Sequence, residues 1–201
     1  MNYAIEHRQS DNQHLVVTPR KKTVKHALLA VKSGLVLIRL GKNEYALQAG
    51  EAFWLPLDCL ASVTYMPQTV CSEVTFSVRL SDNFSSQAGY IKLQSIASAA
   101  INKLQQGNIS ADYQSSLLQV LRFECAQLKP KLSVNALSEQ ISRWTENSNA
   151  INPELVLALK VREARKRALS GAKRAAIVDE LFAGSEQDYE NLSAMILGKA
   201  L

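Results

Sequence analysis

Hydrophobic and polar positions change period once along this chain. Up to about residue 88, apolar residues come in short runs. His26 to Lys32, Leu35 to Leu40, Glu44 to Gln48, Ala52 to Leu55, Cys59 to Tyr65 and Val70 to Leu80 read as strands. Turn residues part them: Ser33-Gly34, Gly41-Lys42-Asn43, Ala49-Gly50-Glu51, Leu57-Asp58 and Pro67-Gln68. Short strands with a turn about every ten residues predict an antiparallel sandwich or barrel. Gly41-Lys42-Asn43 predicts a hairpin.

From Tyr90 the period becomes helical. Leu93, Ile96, Ala97, Ala100, Ile101 and Leu104 share one stripe that ends near Gly107. A second helix starts at Ser110-Ala-Asp, carries Leu117, Leu121, Cys125 and Leu128, and is limited by Pro130. The two predict an antiparallel hairpin. It packs on the sheet, or it joins two copies through Leu93, Ile96, Ala100 and Leu104; the two roles are compatible. Beyond it, helices are expected over Ala136 to Glu146, Pro153 to Leu169, Lys173 to Phe182 and Gln187 to Leu197. Asn152 suits the N-cap before Pro153, and Gly171 and Gly184 suit helix ends. The pattern divides the chain into a β-rich segment 1–88, a helical hairpin 89–130 and an all-helical segment 131–201. The fold class is α+β.

Composition narrows this picture. With 47% hydrophobic and 20% charged residues, the 201-residue chain is neither disordered nor a small disulfide scaffold. Cys59, Cys71 and Cys125 form no close pair, which fits buried thiols in a reducing compartment. The polar start lacks the apolar core of a signal peptide, and no apolar run nears the ~20 residues of a membrane span. A cytoplasmic protein without a membrane partner is expected.

Candidate chemistry is sparse. The histidines are His7, His14 and His26, and none follows residue 26. A site of two or three histidines on the central strands therefore cannot be built. His26 reads as a hydrogen-bonded core or pocket histidine. No Gly-rich phosphate loop or G-x-S-x-G elbow occurs, and no histidine stands near Cys59 or Cys71 in sequence. No metal, no cofactor and no enzymatic activity are expected. If the β segment holds a ligand, inward-facing His26, Leu28, Val36, Tyr45, Trp54 and Tyr65 would line its pocket. Such an aromatic lining suits a sugar, a small phenol or a lipid tail; the same residues also suit a closed core.

Charge is uneven. The formal net value is +5, yet Lys160, Arg162, Arg165, Lys166, Arg167, Lys173 and Arg174 against Glu163 make +6 within one stretch. From Ala175 to Leu201, Asp179, Glu180, Glu186, Asp188 and Glu190 against Lys199 make −4. The basic stretch reads as a phosphate-facing surface or as a solvated helix face.

The β segment resembles the cupin-like sensing domain of AraC-type transcription regulators. The stretches that carry the resemblance are His26 to Gly34, Gly41 to Glu51 and Phe53-Trp-Leu-Pro56. The C-terminal part resembles that family's double helix-turn-helix unit. Ser138-Glu-Gln-Ile-Ser-Arg143-Trp-Thr is similar to its first recognition helix, and Ala150-Ile-Asn-Pro153 to the turn that follows. Leu157 to Gly171 is similar to the linker helix, and Ala176 to Tyr189 to the second helix-turn-helix. Ala150 and Ala183 stand where the family has turn glycines. The resemblance implies a cupin-like jelly-roll barrel, a homodimer, a small-molecule effector and double-stranded DNA as partners. Gln140 and Arg143 would meet base edges and backbone, beside the basic residues from Lys160 to Arg174, while Trp144 suits a core anchor. The acidic last segment keeps a second reading open: a module of the same lineage that modulates another regulator without binding DNA.

Overall fold

The computed structural model describes residues 4–145 and 151–201. It is α+β, with two antiparallel sheets and six helices among those residues. The strands are β1 (Ile5–Asn12), β2 (Val16–Val17), β3 (Lys21–Lys22), β4 (His26–Ser33), β5 (Leu35–Leu40), β6 (Asn43–Gln48), β7 (Ala52–Leu55), β8 (Leu60–Tyr65), β9 (Thr69–Phe76) and β10 (Gly89–Ile91). The helices are α1 (Ser95–Gln106), α2 (Ala111–Ala126), α3 (Ala136–Ser142), α4 (Pro153–Leu169), α5 (Arg174–Phe182) and α6 (Glu186–Leu197).

The first sheet runs β1-β9-β4-β7-β10, and the second β2-β8-β5-β6 with β3 also on β8. Among the described residues no ladder joins the two sheets. The expected closed barrel is therefore an open sandwich. At the β4–β5 crossover Gly34 takes φ +80°, and a Cβ there would lie 2.5 Å from the Thr69 hydroxyl oxygen. Only glycine lets the chain turn so close to β9.

Four layers result, and they explain the sequence pattern. In β4, Ala27, Leu29 and Val31 face the other sheet, whereas Leu28 and Ala30 face α1 and α2. Both faces are covered, so the strand reads as a continuous apolar run. The α1–α2 hairpin buries Ala97, Ala100, Ile101, Leu104, Leu118, Leu121 and Cys125 in the same cluster as Trp54, Val74 and Phe76. On the far side, Leu37, Ala46 and Met66 of the second sheet share one core with α3 to α6 through Leu159, Ile177, Phe182 and Tyr189. The described helices of 131–201 thus share a core with the second sheet.

Local signals set most boundaries. Ser110 and Ser185 cap α2 and α6 by accepting from the backbone N–H groups of Tyr113 and Asp188. Asn152 accepts from Glu154 N–H, and Pro153 occupies the first turn of α4. Ala183 ends α5 in the left-handed conformation at φ 50°, a strained choice for a residue with a Cβ.

Candidate functional site

The junction between sandwich and helices is built on β6, the edge strand of the second sheet. An open edge exposes unpaired N–H and C=O groups. Here α3 closes it with hydroxyls. Ser138 Oγ accepts from Ala46 N–H at 2.9 Å, and Ser142 Oγ accepts from Glu44 N–H at 2.8 Å. Four residues of helix rise about 6 Å and two residues of strand about 6.8 Å. Serines one turn apart therefore match alternate edge groups. The Ala46 carbonyl accepts from the Tyr90 hydroxyl at 2.7 Å, and the Asn135 amide stands 3.4 Å from it. Beside this seam Arg162 Nη1 donates to Glu44 Oε1 at 3.0 Å, tying α4 to the same strand.

The residues expected to face phosphate lie around this junction. Lys166 pairs with Glu163 at 2.9 Å. Arg167 pairs with Glu163 at 3.2 Å and Glu180 at 2.5 Å. Arg174 bridges Glu186 at 2.7 Å and Glu190 at 2.5 Å, with its guanidinium 4.9 Å from the centre of the Tyr189 ring. Hydrogen bonds that Arg174 donates to these two carboxylates push its pKa further up. The acidic segment therefore folds directly onto the basic one. Lys160, Arg165 and Lys173 have no acidic partner among the described residues. On α3, Gln140 is exposed, and exposed Arg143 pairs with Glu139 at 2.9 Å. Trp144 packs against the helical core. The turn at Ala150 lies outside the described residues.

The six residues considered for a pocket do not share one wall. Leu28 and Trp54 point toward the helical hairpin. Val36 and Tyr45 are buried between the sheets. His26 accepts from Leu57 N–H at 3.1 Å through Nδ1 and stacks on Trp54, with ring centres 5.6 Å apart. Tyr65 alone lines a cleft, at the open flank of the sandwich.

That cleft has a volume of about 370 Å³. One wall is polar, with Arg8, Ser10, Asn12, Glu73 and Thr75 of β1 and β9; the other carries Ala61, Val63 and Tyr65. Burial raises the Glu73 pKa, while Arg8 and Lys25 pull it down. Burial also raises the Tyr65 phenol and pushes the Cys71 thiol up to about 12. Sequence reasoning passed over β1 because it is polar after Ile5. A lone acid inside the β9 run, Glu73 in TVCSEVTF, was the available signal.

Of the hairpin residues considered for dimerisation, Ala100 and Leu104 are buried against the first sheet, Leu93 is partly buried there and Ile96 is exposed. On α2, Tyr113 and Phe123 are exposed. Among the described residues no group of three or more His, Cys, Asp or Glu stands together as a metal site requires. No described helix is long and apolar enough to cross a membrane.

The class defined by fold and site is a two-sheet sandwich with an open-flank cleft, sealed along one edge to a helical layer of mixed charge. No family model and no curated protein matches the chain. Among solved structures it is similar to ToxT of Vibrio cholerae, at 9% identity and a TM-score of 0.46 over 99% of this chain and 96% of that one. It is also similar to a cupin superfamily protein of Desulfitobacterium hafniense, at 8% identity and a TM-score of 0.36 over 38% of this chain and 71% of that one. A third likeness is to the EutQ protein of Clostridium difficile, at 12% identity and a TM-score of 0.32 over 38% of this chain and 59% of that one. With TM-scores below 0.5, these likenesses transfer no residue role to this chain.

Proposed function

We propose that the chain is a DNA-binding transcription regulator of AraC type, cytoplasmic and without enzymatic activity. Its sandwich senses a small molecule in the open-flank cleft, and its helical layer contacts the backbone of double-stranded DNA as a homodimer. The observation that supports this reading is the placement of α4. Arg162 holds it against β6, while Lys160, Arg165 and Lys173 keep no acidic partner among the described residues. A ligand that alters the sandwich would shift α4, because the Glu44–Arg162 pair and the Ser138 and Ser142 bonds all end on β6. The effector that suits the cleft is a molecule with one apolar face for Val63 and Tyr65 and one polar face for Arg8, Ser10 and Glu73.

A second reading has its own support. Arg174 is held by Glu186 and Glu190 at the start of α6, so α6 presents carboxylates where phosphates would approach. This favours a module that binds another regulator. A salt titration of duplex DNA binding separates the two. A DNA-binding regulator loses affinity steeply between about 50 and 200 mM salt, and Lys160→Ala with Arg165→Ala weakens it further. No binding at the lowest salt rejects the DNA reading and leaves the second.

A further inference from the structure

A second basic region lies outside the helices. From Asn12 to Asn43 the chain has no acid, between Asp11 and Glu44. It carries Arg20, Lys21, Lys22 and Lys25 ahead of β4, and then Lys32, Arg39 and Lys42. Some of this charge is already used. Lys22 pairs with Asp58 and Lys25 with Glu6, and Lys21 lines the cleft. Arg39 and Lys42, on and just after β5, are exposed and have no acidic partner among the described residues. The ladder sets Arg39 opposite Glu44, but the Glu44 carboxylate is taken by Arg162 at 2.9 and 3.0 Å.

These two side chains stand at a notch. A cavity of about 320 Å³ lies between the β5–β6 hairpin, the end of α3 and α4, and its walls include Arg39, Lys42, Trp144, Arg162 and Arg167. Four cations against Glu44 and Glu163 leave the lining at +2. The Trp144 indole N–H is buried and has no hydrogen-bond partner among the described residues, so it is not offered to a ligand in the notch. The exposed ammonium and guanidinium groups of Lys42 and Arg39 donate only. The notch therefore selects an oxyanion.

We infer that the β5–β6 hairpin belongs to the DNA-contacting surface: Arg39 and Lys42 each meet a backbone phosphate of duplex DNA and extend the α4 basic face onto the sandwich. A polyanion suits it better than a single small anion. The notch is open, Arg162 and Arg167 of α4 share its wall, and the 17-residue α4 extends about 25 Å, enough for several phosphates along one strand. The inference rests on the proposed DNA reading and adds to it a contact from the sensing domain.

The test is fluorescence anisotropy on a labelled duplex of mixed sequence, from about 50 to 200 mM salt. It compares the full chain with Arg39→Ala/Lys42→Ala. Both positions are exposed, so far-UV circular dichroism should be unchanged. Loss of two phosphate contacts makes the slope of log affinity against log salt shallower by about 1.8 and lowers low-salt affinity several-fold. A full chain that binds DNA with a steep slope, beside a double variant with the same slope and affinity, overturns this inference alone. A full chain that does not bind at the lowest salt overturns the DNA reading and this inference with it. Polyglutamate competing as well as duplex DNA at equal charge would make the partner an acidic protein and overturn the DNA assignment.

Discussion

Arg162 of α4 and Glu44 of β6 form a largely buried ion pair across the junction of sheet and helices, with side chains only 18% and 11% exposed. The residues are 118 positions apart in sequence. Removing one partner strands the other in a poorly solvated place. Glu44→Ala or Arg162→Ala should each cost about 2–4 kcal/mol. Replacing both with apolar residues should cost less than either. Urea denaturation of the two single variants and the double variant measures this coupling.

The hydroxyl seam predicts a second loss. Ser138→Ala leaves the Ala46 N–H buried without its acceptor and removes a neighbour of the Tyr90 hydroxyl. The expected cost is about 1–3 kcal/mol. Ser142→Ala should cost less, because Glu44 N–H is only part-buried. Hydrogen exchange of the Ala46 amide should rise first.

Ala183 predicts a gain. Its left-handed backbone at φ 50° disfavours a Cβ by about 1 kcal/mol, and glycine is the usual residue at such a helix end. Ala183→Gly should raise the melting temperature by a few degrees, with no change in circular dichroism.

Glu73 predicts a pH dependence. Burial raises its pKa in the folded chain above the ordinary 4.5. The folded state therefore binds the proton more tightly than the unfolded one. The resulting stability is present below pH 4.5 and is lost as pH rises through the folded value. Glu73→Gln should stabilise the protein at pH 7, and the gain should disappear below pH 4.5. Thermal melts of both forms across that range test the sign.

Cysteine reactivity follows from burial. Cys71 and Cys125 are buried, with thiols pushed up to about 12, whereas Cys59 is part-exposed and raised less. A disulfide reagent at pH 8 should titrate one thiol in the native protein, slowly, and three after denaturation.

Much of the secondary structure was legible in the chain because it is set locally. Leu35–Leu40, Ala52–Leu55 and Pro153–Leu169 have the bounds that alternation, flanking turns and the Asn152 cap predict. The strands β1, β2, β3 and β10 were not legible. β1 is polar after Ile5, and the others are two or three residues long, so each becomes a strand only by pairing with β9, β8 or β7. The composition also carried the +6 and −4 segments. Only the fold decided that Arg174 and Arg167 meet Glu186, Glu190 and Glu180.

The sequence by itself determined where the helices and most strands begin, that no histidine follows residue 26, and where charge collects. These follow from backbone preference and residue identity, which act over a few positions. Tertiary structure alone decided that Leu28 and Trp54 face helices while Val36 and Tyr45 fill the space between sheets, and that the cleft opens at β1 and β8. It also decided which cations keep their charge for a partner, because a side chain's free charge depends on neighbours that lie up to 118 residues away in the chain.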